Sequence, residues 1–355
     1  MASEKANETK KTAGIGKIKN KISTRKNKLK DEDFLYATAY IRSVEERGLS
    51  GAVVKRMLEA ANAEEAEEAL FEGRSTLPQD AIVDTAEAIC DEYVNGSFFT
   101  AGEIVGDVKA FDFLRYQYDC NNIKTALKCE ARGLDPTGLY FSCGSIPTET
   151  VTSAIKSREY GVLPGAFAEA AQCAADAYAK TGDPQSIDLP LDNAAFEMMA
   201  DGAEKTGVKL FSEAVRVKID VTNVVTAVRI IRMKPQTQSE LLSRALCGRG
   251  SIKKDEIIAA SEEGEEALYE FLKGRVPDRF EAALSTSATP SSLERAADDA
   301  YLSYAVQAKK TVFGAAVIFG YLVEREYNAK NARIIIAGKR AGVPYEQLAS
   351  RIRTV

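Results

Sequence analysis

The sequence predicts an all-α protein made of three similar helical units, and three observations carry that expectation. Ala and Glu are abundant, Pro numbers only 10 and Trp is absent, a composition that favours helix. Second, Asp119-Cys120-Asn121-Asn122-Ile123-Lys124-Thr125-Ala126-Leu127-Lys128 is echoed by Asp220-Val221-Thr222-Asn223-Val224-Val225-Thr226-Ala227-Val228-Arg229. Both read Asp-x-x-Asn, then Thr-Ala, an aliphatic and a base, without a gap. A looser copy runs from Asn328 through Asn331 and Arg333 to Ile335. The steps, 101 residues from Asp119 to Asp220 and 108 from Asp220 to Asn328, are the size of a small domain and too long for a tetratricopeptide or ankyrin solenoid. Third, Gly144-Ser145-Ile146, with Thr148-Glu149, recurs 106 residues later as Gly250-Ser251-Ile252, with Lys254-Asp255. Leu49-Ser50-Gly51 is a weaker N-terminal counterpart, and the stretch 59–66 resembles 259–267. The expected organisation is a tail over 1–30 and helical units over 31–142, 143–248 and 249–355.

Taken in order, residues 1–30 hold ten Lys or Arg against Glu4 and Glu8, a net +8 that leaves −13 on the other 325 residues of a chain whose formal charge is −5. This composition predicts a solvated, disordered extension. Ile15, Ile18 and Ile22 fall at helical spacing among bases, so the tail is also a candidate for contact with anionic lipid or an acidic neighbour. The acidic body argues against nucleic acid.

Folded structure is expected from Asp31-Glu32-Asp33, an acidic helix start. Phe34 to Ile41 follow at helical spacing and end at Gly48. Ser50 opens the next helix, and a short acidic one over 63–70 ends at Gly73. Another is expected from Pro78 to Tyr93, stopped at Asn95-Gly96, and then a long run from Thr100 to Arg132, closed by Gly133. The second unit reads as helices over 148–156, 163–178 and 191–203, then a long run to Lys234 that Pro235 stops. The third reads as short helices around Gly264, a start at Pro277, a long region from Thr289 through Tyr321, a helix over 324–336 and a last one from Pro344 to Ile352. Val215 to Val221 alternates at period two with β-branched residues, a strand signal. Helix is the expectation nonetheless, because Val221, Val224, Val225, Val228 and Ile231 keep helical spacing.

The chain contains no histidine, which excludes a histidine general base, a Ser-His-Asp triad and the usual zinc and haem ligands. Gly16-Lys17 and Gly338-Lys339 are followed by Ile18 and Arg340, so neither is a phosphate-binding loop, and no direct nucleotide binding or cofactor is expected. Six cysteines are scattered with no C-x-x-C pair and read as reduced thiols of a cytosolic protein. No bilayer-spanning run or secretory signal is visible. Asp298-Asp299 has the look of a metal-binding pair of isoprenoid synthases, but Leu302 occupies the position where the third acid belongs.

The candidate residues are therefore the repeated ones: Asp119, Asn122, Asp220, Asn223, Asn328 and Asn331, with the bases Arg333, Lys339 and Arg340. Asp and Asn three apart share a helix face. Such residues either brace the long helices against their neighbours or present a polar surface to a partner. Bases after the repeats, including Lys124, Lys128, Arg229 and Arg232, are solvated flanks or face an acidic partner.

With these copies placed, residues 33 to 355 resemble the C subunit of the archaeal and bacterial A/V-type ATP synthases, and are similar to the d subunit of eukaryotic V-ATPases. The resemblance rests on Tyr36-Ala37-Thr38-Ala39-Tyr40-Ile41-Arg42, on both Asp-x-x-Asn copies and on the close: Glu324-x-Glu326-x-Asn328-x-x-Asn331-x-Arg333-x-Ile335, Gly338-Lys339 and Pro344-x-Glu346-x-Leu348. It implies a pseudo-threefold funnel of three helical domains on a rotary motor's central stalk. Such a protein is non-catalytic and peripheral, at the cytoplasmic face of the membrane. Its partners are the rotor-ring proteolipid subunits and the shaft subunits of the stalk, between which it transmits torque. The alternative is a cytosolic helical-repeat scaffold that binds another protein through a concave face.

Overall fold

The computed structural model describes residues 31–72, 85–106 and 108–353. The basic stretch 1–30 and the helix start expected at Pro78 lie outside the described residues. Within them are sixteen α-helices and three short 3-10 turns, and no strand.

Helices α1 (Leu35–Val44), α2 (Gly51–Glu59) and α3 (Ala63–Glu72) are short and each buries one stripe: Ala37 and Ile41, Val54 and Met57, and Ala66, Ala69 and Leu70. That is the i, i+3, i+4 pattern of an amphipathic helix. Helix α4 (Ala86–Val105) begins at Thr85, whose side chain accepts the Ala88 N–H. It does not stop at Asn95-Gly96 as the sequence suggested. Ile89, Tyr93, Phe98, Ala101 and Val105 form one buried stripe through that pair. Burying it outweighs the roughly 1 kcal/mol that one interior glycine costs. The stop comes at Gly106, whose φ of 73° is a left-handed conformation that favours glycine. The single run expected from Thr100 to Arg132 is thus the end of α4, a 3-10 turn over Val108–Phe111 and α5 (Asp112–Arg132).

Helices α6 (Thr148–Ser157), α7 (Ala166–Thr181), α8 (Gln185–Thr206) and α9 (Lys209–Met233) follow. The alternating segment Val215–Val221 lies inside α9. Val215, Ile219 and Val221 are buried and Val217 packs beside them, because α9 is covered on more than one side, so its apolar residues need not keep to one stripe. Next come α10 (Gln238–Ala245), α11 (Lys254–Glu262), α12 (Glu265–Leu272), α13 (Asp278–Glu281), α14 (Pro290–Lys309), α15 (Ala315–Arg340) and α16 (Tyr345–Ala349). The region expected to run unbroken through Tyr321 is interrupted between α14 and α15 at Gly314, with φ 119°, whose N–H donates to Thr38 Oγ1 at 3.1 Å. From there α15 continues without a break through the separate helix expected at Glu324.

The apolar side chains bury in three clusters. One runs from Cys120 to Ala195 and another from Val221 to Ala300. The third joins Phe34–Tyr118, Met199–Ile219 and Tyr301–Leu348, so both ends of the described chain meet in it. Helix α5 lies along α8, α9 along α14, and α15 along α4 and α14. The long helices α5, α9 and α15 converge on Phe113, Phe211 and Phe319, whose ring centroids lie 4.9, 5.5 and 6.4 Å apart. Each such aromatic pair adds about 1 kcal/mol beyond the area it buries.

Candidate functional site

The three long helices place one asparagine each at the same task. Asn122 on α5 donates through Nδ2 to the Phe141 carbonyl at 2.9 Å, and its Oδ1 accepts the Phe141 N–H at 2.8 Å. Asn223 on α9 does the same to Cys247, at 2.8 and 2.9 Å. Asn331 on α15 does so to Arg353, at 2.9 and 3.0 Å. An amide side chain has one donor edge and one acceptor edge, so it satisfies both groups of an extended residue as a neighbouring strand would. All three side chains are buried.

One turn earlier on α5 and α9, a buried carboxylate gathers the start of the next helix. Asp119 accepts the Ile146 N–H at 2.9 Å and the Ser145 hydroxyl at 2.5 Å. Asp220 accepts the Ser251 and Ile252 N–H groups at 3.0 and 3.1 Å. The glycine of each Gly-Ser-Ile is there because of this approach: a Cβ on Gly144 would lie 2.6 Å from Asp119 Oδ1, and one on Gly250 closer still to Asp220 Oδ1. Burial pushes the Asp119 carboxyl up to about 6, against the pull of the Ser145 and Ile146 hydrogen bonds and of Arg115. Burial likewise raises Asp220, against the pull of Ile252 and Ser251. Arg115 adds a further tie, donating from Nε to the Cys143 carbonyl at 2.9 Å.

At the third position stands Asn328, which donates to the Leu49 carbonyl at 3.1 Å. An amide can donate where a carboxylate only accepts, so Asn328 grips a carbonyl. Helix α15 therefore holds the segment before α2 with Asn328 and the chain's other end with Asn331.

The flanking bases are tied within the chain. Arg333 reaches Glu87 at 2.6 Å and Asp91 on α4, Arg340 reaches Glu67 at 2.5 Å, and Lys339 donates to the Ala60 carbonyl. Burial carries Asp91 up to about 6 despite Arg333. Lys124 pairs with Asp192 and Lys128 with Asp188, both at 2.6 Å; Arg232 pairs with Glu265 at 2.7 Å, and Arg229 with Glu294.

Sequence reasoning missed a partly buried network around Asp298. Its Oδ2 accepts from Lys330 at 2.6 Å and from Arg353 Nε at 2.7 Å, and its Oδ1 from the Tyr327 hydroxyl at 3.1 Å. The two cations hold this carboxyl below its usual range against the pull of burial. Gln117 and Lys218, each two residues before the repeated Asp, meet at 2.9 Å. The period visible in the sequence pointed to this pair, but the identities Gln and Lys hid it. Glu326, two residues before Asn328, is raised by burial, with Lys218 the first charge that opposes the rise.

This arrangement positions backbone. Both repeated carboxylates are occupied by hydrogen bonds from main chain and side chain, and no group of three or more Cys, Asp or Glu placed to hold a metal occurs among the described residues. No described helix is long and apolar enough to cross a membrane. The profile of the ATP synthase (C/AC39) subunit family matches residues 37–351. The C subunit of the V-type sodium ATPase of Enterococcus hirae is 25% identical over 252 residues, which cover 67% of this chain and 73% of that protein.

Proposed function

This chain belongs to the ATP synthase (C/AC39) subunit family, and from that premise we propose that it is the non-catalytic socket of a rotary A/V-type ATPase. In this reading it sits peripherally at the membrane, on the rotor-ring proteolipids, takes the foot of the stalk shaft and transmits torque between them. The observation that carries the proposal is the recurrence of one two-bond asparagine clasp on α5, α9 and α15. A torque coupling must resist shear, and each clasp fixes a loop to a long helix through both of its backbone groups, without a flexible charged side chain.

The same recurrence supports three equivalent units arranged around the Phe113, Phe211 and Phe319 contact. Two units follow the clusters 120–198 and 221–300, and the third is assembled from both chain ends. The boundaries expected at 142/143 and 248/249 lie in the loops that Asn122 and Asn223 clasp, inside these two clusters rather than between them. A threefold adapter meets a multi-subunit ring on one side and a single shaft on the other. Asn122, Asn223 and Asn331 brace this frame, since their hydrogen bonds are spent inside the chain and their side chains are buried; partner contacts fall to other surfaces. The test is affinity purification of the tagged chain from gently solubilised native membranes. Co-purifying ring proteolipid and shaft subunits with ATPase activity are expected. Recovery of neither, from membranes that hold an intact motor, overturns the proposal.

A further inference from the structure

The asparagine clasps are alike on the three long helices, but the residues five places before them are not. Gln117 stands before Asn122 on α5, Lys218 before Asn223 on α9 and Glu326 before Asn331 on α15. All three lie within two turns of the Phe113, Phe211 and Phe319 contact. Exposure grows along this face away from the phenylalanines, which are buried. Lys218 is buried, and Gln117 and Glu326 are half-buried. One turn further, Asn121 is exposed and Thr222 and Lys330 are half-buried; two turns beyond these, Arg229 and Ala337 are exposed. Residues four and seven apart share a helix face. Helices α5, α9 and α15 lie along other helices rather than along one another. They therefore part from the aromatic contact and leave between them a recess closed at that end.

Of the two charges at the bottom of this recess, one is spent and one is open. The Lys218 amine donates to Gln117 Oε1 at 2.9 Å and lies 4.6 Å from the centre of the Tyr301 ring. The Glu326 carboxylate has no hydrogen bond or ion pair among the described residues. The next cations along α15 are engaged elsewhere, Lys330 with Asp298 and Arg333 with Glu87 and Asp91. A body that fills the recess strips water from Glu326, which is costly for a carboxylate unless the incoming surface brings it a cation. The unlike ring also discriminates: a base aimed at the Lys218 side is repelled, and one aimed at Glu326 is attracted. A single shaft needs such a distinction in a frame whose clasps are threefold. We propose that Glu326 receives a lysine or arginine side chain from the foot of the stalk shaft, at the bottom of the recess between α5, α9 and α15. This assignment rests on the socket reading and names the contact within it.

The test is the affinity of the purified full-length chain for the purified shaft subunits of the same motor, measured by isothermal titration calorimetry. Glu326→Gln keeps the shape and removes the charge, and it should weaken shaft binding about thirtyfold or more, because the shaft's base is then buried without a partner. Thermal unfolding by circular dichroism checks that this variant is folded. A second measurement needs no variant. Carbodiimide with glycine ethyl ester modifies accessible carboxylates, and mass spectrometry reads the modification at Glu326. Glu326 should be labelled in the free chain and protected in the complex with the shaft. Wild-type affinity in the folded Glu326→Gln variant, or equal labelling of Glu326 with and without the shaft, overturns the proposal and leaves the socket reading standing. Failure of the wild-type chain to bind the shaft overturns both.

Discussion

Replacing Asn223 with alanine removes both hydrogen bonds to Cys247 and leaves its N–H and carbonyl facing a cavity too enclosed for bulk water. Cys247 is 3% exposed. Each buried backbone group left without a partner costs about 1–3 kcal/mol, so the loss of the two should be about 2–6 kcal/mol. Asn193 is the control. It makes the same kind of bond, Nδ2 to the Arg244 carbonyl at 2.8 Å, but at an exposed site. There water replaces the lost partner, and Asn193→Ala should cost below about 1 kcal/mol. Urea unfolding followed by circular dichroism measures both, with the midpoint as the reported quantity. If the two variants shift the midpoint equally, buried clasps are not what holds the loops, and the bracing argument fails for Asn122 and Asn331 as well.

Asp119 has a raised folded pKa, so its contribution is fully present below the usual carboxylate value of 3.8 and is lost as pH rises through about 6. Compared with Asp119→Asn in denaturant titrations, the wild type should lose up to about 3 kcal/mol of relative stability between those pH values; a constant difference would contradict the assignment. Asp298 behaves oppositely. Its folded pKa is lowered, so its contribution is present above the usual value and disappears as pH falls through the lowered one. At neutral pH, Asp298→Ala leaves the buried Arg353 without its carboxylate while the half-exposed Lys330 turns to water, and should cost about 1–3 kcal/mol in urea midpoint measurements. Gly250→Ala should destabilise by about 1–3 kcal/mol because its Cβ meets Asp220, whereas Gly51→Ala, with nothing within 4 Å, should be neutral or stabilise by up to about 1 kcal/mol in thermal melts.

Helical class and most helix positions were legible because the apolar stripes of α1, α2, α3 and α6 are local properties of the sequence. Breaks were harder. Gly96 and Gly106 are the same residue type in one segment, yet only Gly106 ends a helix, because the buried stripe carries α4 through Gly96 and ends at Val105. Gly314 breaks a helix through a contact with Thr38, 276 residues away, which no local window contains. The repeated Asp and Asn were found as a pattern, while their partners Phe141, Cys247 and Arg353 were not, because a backbone clasp places no demand on the clasped side chain. Asp298 was weighed only as half of a metal pair. Its true partners, Lys330 and Arg353, come from α15 and from beyond α16 and share no spacing with it.

The socket is tested most directly by measuring ATP hydrolysis and ATP-driven ion uptake together, in native membrane vesicles stripped of this chain and then resupplied with it. The account predicts that stripped vesicles lose ion uptake, that any ATPase released from them stays active, and that the added chain, with no ATPase activity of its own, restores coupled uptake. Full ion uptake by vesicles that lack the chain, or hydrolysis of ATP by the purified chain alone, would contradict it.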